Sequence, residues 1–174
     1  RLIDLVGTVD PKLVADIYGM VRGTRPETVV SASVGTNQHS SAAHFRDEVT
    51  WVRRGIIDVA FPMNYKRDLA SFNEGLDMWM PLKDKLPVVP GLWFDGRLPA
   101  AEGAEVARQQ IESAIAKTGN FCIFSYASLF ETRVPDDLAQ TTRPDGRGRM
   151  SRARETRRSV ILPYIASLAT RPAI

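Results

Sequence analysis

Four apolar runs start at almost even steps along the chain: Val29 in VVSASVG, Val59 in VAFPMNY, Val88 in VVPGLWFDG and Phe121 in FCIFSYASLF. The repeat of about 30 residues is the length of one βα unit, because a parallel strand needs a crossover of a dozen or more residues before the next can lie beside it. The intervals themselves are helical. Asp10-Pro11 opens a helix in which Leu13, Val14, Ile17, Tyr18 and Val21 recur at helical spacing up to Gly23. A second helix is expected over 45–54 and stops at Gly55, and a third over 67–80, with Leu69, Phe72, Leu76 and Met80 on one face, stops at Pro81. The fourth is expected over 100–117. After the last strand, 131–150 reads as a long charged loop, and a final helix over 151–169, capped by Ser151, packs Val160, Ile161, Tyr164, Ile165 and Leu168.

The pattern therefore predicts an α/β chain of four parallel strands, each followed by a helix, which is half of a (β/α)8 barrel. A whole barrel takes about 250 residues, and this chain has 174. The chain opens on Arg1, with neither Met nor an apolar leader, so residues 1–174 are expected to be the C-terminal part of one barrel whose N-terminal half lies upstream.

Composition narrows the function classes. The net charge of +3 is mild, and although seven arginines crowd 143–158, a charge run of this kind reads as a solvated loop and helix face, so no nucleic-acid partner is expected. No apolar run reaches the roughly 18 residues of a membrane helix. The single cysteine, Cys122, excludes an internal disulfide, and its place between Phe121 and Ile123 predicts a buried, inert thiol. His39 and His44 lie in one loop without Cys or HExxH-like spacing, so no metal site is expected. SYASLFETR supplies no glycine-rich phosphate turn, and no cofactor is expected.

Polar and aromatic residues gather where the strands end, and barrels bind their ligands there. Asp95, in GLWFDGR beside Trp93 and Phe94, is the sharpest catalytic candidate, since a carboxylate among aromatic rings suits glycoside chemistry; the alternative is an Asx turn at Asp-Gly. Asn64 and Tyr65 end the second strand with an amide and a phenol able to hold sugar hydroxyls, or form a strand-end turn. Glu131 reads better as a loop acid. Lys66, a Schiff-base position in some barrels, is followed by Arg67 and Asp68 and reads as exposed.

Taken together, Trp51-x-x-x-Gly55-Ile56-Ile57-Asp58, Pro62-Met63-Asn64-Tyr65, the Gly91-Leu92-Trp93 strand and Gly119-Asn120-Phe121 leading to Phe124-Ser125-Tyr126 resemble the C-terminal half of the glycoside hydrolase-like family 10 proteins. The resemblance covers the chain to about residue 130. It implies a (β/α)8 barrel exported to the periplasm or cell exterior as a lipoprotein and acting on polysaccharide or cell-wall glycan. It also implies a second carboxylate upstream of Arg1, with Asn64, Tyr65, Trp93 and Tyr126 lining sugar subsites around Asp95. A barrel that binds glycan without cleaving it, and an unrelated flavodoxin-like domain, are the alternatives.

Overall fold

The computed structural model describes residues 11–37, 47–94, 98–130 and 144–169, with side chains of the last segment from 153 to 168. The elements alternate as expected: α1 (Pro11–Thr24), β1 (Ser31–Val34), α2 (Glu48–Arg54), β2 (Val59–Pro62), α3 (Leu69–Asp77), a 3-10 turn (Met80–Leu82), β3 (Gly91–Trp93), α4 (Ala100–Thr118), β4 (Cys122–Phe124), α5 (Tyr126–Leu129) and α6 (Pro144–Ala169). The protein is an α/β chain. Its regular strand pairs form two parallel two-stranded sheets, β1 with β2 and β3 with β4. Parallel bridges Ala60–Val88 and Met63–Gly91 join them, so the strands lie side by side in chain order. The ladder is thin between β2 and β3 because Pro87 and Pro90 lack the N–H that a ladder needs. Their carbonyls still accept, from Ala60 N–H at 3.1 Å and Cys122 N–H at 3.0 Å.

The strand period of two sorts the side chains by face. Ala32, Val34, Ala60 and Val88 pack with Trp51, Val52, Ile56, Ile57, Trp79 and Leu82 beneath α1 and α2, while Leu92 and Phe94 pack with Phe72, Leu76, Ala104, Ala107, Ile111 and Ile161 beneath α3, α4 and α6. The opposite face carries Ser31, Ser33, Phe61, Met63, Trp93, Cys122 and Phe124, and Phe124 is 59 % exposed. Helices thus cover one face of the strands and leave the other uncovered among the described residues. A second uncovered stripe lies on α1, where Leu13, Ile17 and Met20 are 55, 45 and 64 % exposed at helical spacing.

The motif W-x-x-x-G-I-I-D turns out to build the N-terminal end of the strands. Trp51, Ile56 and Ile57 are core residues, and Gly55 closes α2 with φ +65°, the left-handed conformation glycine adopts without a Cβ penalty. Asp58 then ties strand starts together: Oδ2 accepts the Val30 N–H at 2.7 Å, and Oδ1 accepts from the Tyr18 hydroxyl at 2.9 Å and Arg22 at 2.6 Å.

Three expectations are corrected. Cys122 is exposed; it shares a face with Phe124, and only Ile123 between them turns to the helix layer. The fourth apolar run stops being a strand at Phe124, because Ser125 starts α5 through a capping box with Ser128. The last helix begins at Pro144 and not at 151, placing Ser151 inside it. Pro144 suits a first helical position and the arginines that follow are good helix formers, which outweighs Gly146 and Gly148.

Candidate functional site

Tyr65 is the centre of an aromatic group on the uncovered face. Its ring stacks on Trp93 at 5.9 Å and on Phe124 at 5.5 Å between centroids, with planes inclined 25° and 28°. The register explains the meeting, since Tyr65 follows β2 by three residues, Trp93 ends β3 and Phe124 ends β4. Gly91 makes room for it: a Cβ there would stand 3.3 Å from the Tyr65 ring and 3.1 Å from the Pro62 carbonyl. Below the rings a shallow cleft of about 100 Å³ is lined by Ser33, Phe61, Met63, Gly91 and Cys122. Burial pushes the Tyr65 hydroxyl pKa up, with a smaller push from Cys122, so the phenol stays protonated and able to donate. Trp93 Nε1 is buried and without a partner, a second donor beside the ring group.

Of the residues expected at the site, Tyr65 and Trp93 come together. Asn64 faces the other way. It is fully buried against the helix layer, and its Nδ2 donates to the Phe72 carbonyl at 2.8 Å. It directly precedes Tyr65, and adjacent extended positions point to opposite faces. Tyr126 is 68 % exposed and stacks on Phe130 at 4.6 Å, in the rim beyond β4. Asp95, Glu131, His39 and His44 lie outside the described residues. Among the described residues no group of three or more His, Cys, Asp or Glu side chains is placed to hold a metal ion, and no helix is long and apolar enough to cross a membrane.

The loops at these strand ends are fixed from behind. Glu48, 3 % exposed at the start of α2, accepts the Gly35 N–H at 3.1 Å, and Trp79 Nε1 donates to the Gly35 carbonyl at 3.0 Å. Gln110, fully buried, donates to the carbonyls of Lys66 at 3.0 Å and Asp68 at 3.4 Å, which sets the exit of the loop carrying Tyr65. Sequence reasoning missed Phe124 as a site residue, because FCIFSYASLF is apolar on both alternations and gives no face. It missed Glu48 and Gln110 because a polar residue on an amphipathic helix reads as solvated.

No family model matches the chain, and no curated protein matches it.

Proposed function

We propose that this chain is the C-terminal half of a (β/α)8 barrel that hydrolyses a glycosidic bond in a polysaccharide or cell-wall glycan outside the cytoplasm. The observation that carries the reading is the ring group Tyr65, Trp93 and Phe124 at the C-terminal ends of β2, β3 and β4. Aromatic faces at strand ends suit the apolar faces of sugar rings, and barrel enzymes place their chemistry at that end of the strands. The two uncovered apolar surfaces support the barrel. The open strand face fits a barrel interior, and the α1 stripe fits the flank of a preceding helix in an outer helical ring.

In this reading Asp95 is one of two carboxylates, serving as nucleophile or transition-state stabiliser, and the general acid comes from the preceding units. Tyr65 and Trp93 hold the sugar, with their O–H and N–H as hydrogen-bond donors, and Asn64 acts from behind by fixing the strand end that carries Tyr65. The test is release of reducing ends from cell-wall glycan by the full-length protein and by Asp95→Asn. The amide keeps the shape and loses the charge, so turnover falls by orders of magnitude while glycan affinity and the thermal midpoint hold. An Asp95→Asn protein with full turnover overturns Asp95's role. Wild-type protein that binds glycan and cleaves none establishes the second reading, a glycan-binding barrel.

A further inference from the structure

Two arginines of α6 reach the far side of the strand-end rim, and among the described residues no carboxylate meets them. Arg154 Nε donates to the Ala127 carbonyl at 2.8 Å, and Arg157 Nη1 to the Ser128 carbonyl at 3.4 Å. Both guanidiniums therefore gather at the end of α5, where orphan carbonyls favour cations. Each of these contacts engages a single donor of the five a guanidinium carries. Arg157 also lies 5.3 Å over the Phe94 ring, and its Nε is out of contact with water and has no hydrogen-bond partner. Among the described residues no carboxylate is within ion-pair distance of either side chain, whereas Arg22 sits on Asp58 and Arg108 on Glu105. Burial lowers the Arg157 pKa and the positive charge of Arg154 lowers it further. Two like charges brought together, one of them partly desolvated, are costly unless an anion joins them.

We propose that Arg154 and Arg157 form a carboxylate-binding subsite that selects a glycan carrying an acidic sugar. The planar guanidinium fork matches a carboxylate through paired hydrogen bonds. The pair lies at the same end of the strands as the ring group but behind it: Ala127 and Ser128 follow β4 by three and four residues, and Phe94, under Arg157, follows β3 and faces the helix layer, opposite to Trp93. The carbohydrate half of the inference rests on the glycan reading above; the anion half does not.

The experiment titrates the full chain with sodium glucuronate, glucose, acetate and inorganic phosphate, following the tryptophan indole N–H signals and the heat of binding. Glucuronate is expected to bind more tightly than glucose, with an affinity that falls with salt. Arg157→Gln, which retains a donor for Ser128, is expected to lower glucuronate affinity about tenfold or more, the scale of a lost charge-assisted hydrogen bond, and to leave glucose unchanged. Arg154→Lys, which keeps the charge, serves as a folding-neutral companion and is expected to lose less. Equal affinity for glucuronate and glucose overturns the arginine subsite and leaves the glycan reading standing. Acetate binding that depends on Arg157, with neither sugar preferred over it, upholds the anion site and removes the glycan reading. Phosphate preferred over glucuronate overturns the carboxylate assignment.

Discussion

A Cβ placed on Gly75 would stand 2.4 Å from Oδ1 of Asn64 and 3.1 Å from its Cγ. The strand end that presents Tyr65 on one face is thus seated on α3 by the residue before it on the other. Asn64 is fully buried and held by the Phe72 carbonyl, so its amide has no room to retreat.

Gly75→Ala is therefore expected to destabilise the protein by about 1–3 kcal/mol through overpacking, although a glycine-to-alanine change within a helix ordinarily stabilises it. Urea unfolding measures the effect. Adding Asn64→Ala should recover part of the loss, giving a coupling energy that two independent sites would not show. A Gly75→Ala protein as stable as wild type would mean that the clamp yields easily.

Asp58 sets an acid limit on the other end of the strands. Burial pushes its pKa up, but the Val30 N–H, the Tyr18 hydroxyl and Arg22 outweigh this and hold the folded pKa below the ordinary aspartate value. A lowered folded pKa means that the carboxylate contributes stability above its unfolded pKa of about 3.9, and that the contribution is lost as pH falls through the folded value. Asp58→Asn is expected to cost roughly 1–2 kcal/mol at neutral pH, since about a fifth of the Asp58 side chain remains open to solvent screening. The gap between wild type and variant in urea unfolding should close as pH falls below about 4. A gap that stays constant down to pH 2 would remove the ionised carboxylate from the network.

The ring group gives a functional prediction. Trp93→Ala should weaken glycan binding about tenfold, the scale of one stacking contact and the apolar area around it, whereas Trp93→Phe should retain most of the affinity. Tyr65→Phe keeps the ring and loses the donor, so it separates stacking from hydrogen bonding. Isothermal titration with a soluble cell-wall fragment reads each. Unchanged affinity in Trp93→Ala would place the sugar elsewhere.

What the sequence revealed and what it hid follow from the kind of signal each feature leaves. The βα repeat was legible because strands and crossovers impose their own periods, and Phe72, Leu76 and Ile161 are core residues where the helical spacing put them. The meeting of Tyr65 with Trp93 was legible as a shared strand end. Which face each residue took was not: Asn64 and Tyr65 are both polar-tipped, and only the register of β2 sends one inward and the other to the open face. Cys122 misled for a related reason. A small apolar residue in an apolar run is expected inside, but among the described residues helices cover one face of the strands only, and Cys122 lies on the other.

That exposure supplies the last prediction. Cys122 lines the open cleft beside Phe61, Met63 and Phe124, on the face the barrel reading assigns to a packed interior. In the 174-residue chain the thiol is expected to react with a thiol reagent such as dithionitrobenzoate at full stoichiometry without denaturant, since nothing among the described residues covers it. In a longer protein that includes the preceding βα units, the same thiol should be protected by at least tenfold in rate, recovering on unfolding, because thiol modification requires access. The α1 stripe should respond in parallel: Leu13→Glu or Ile17→Glu is expected to change little in the 174-residue chain and to destabilise the longer protein, where an exposed apolar position becomes a helix–helix contact. Equal thiol reactivity in both proteins, with both glutamate variants neutral, would leave the open face uncovered in the longer protein and sink the barrel.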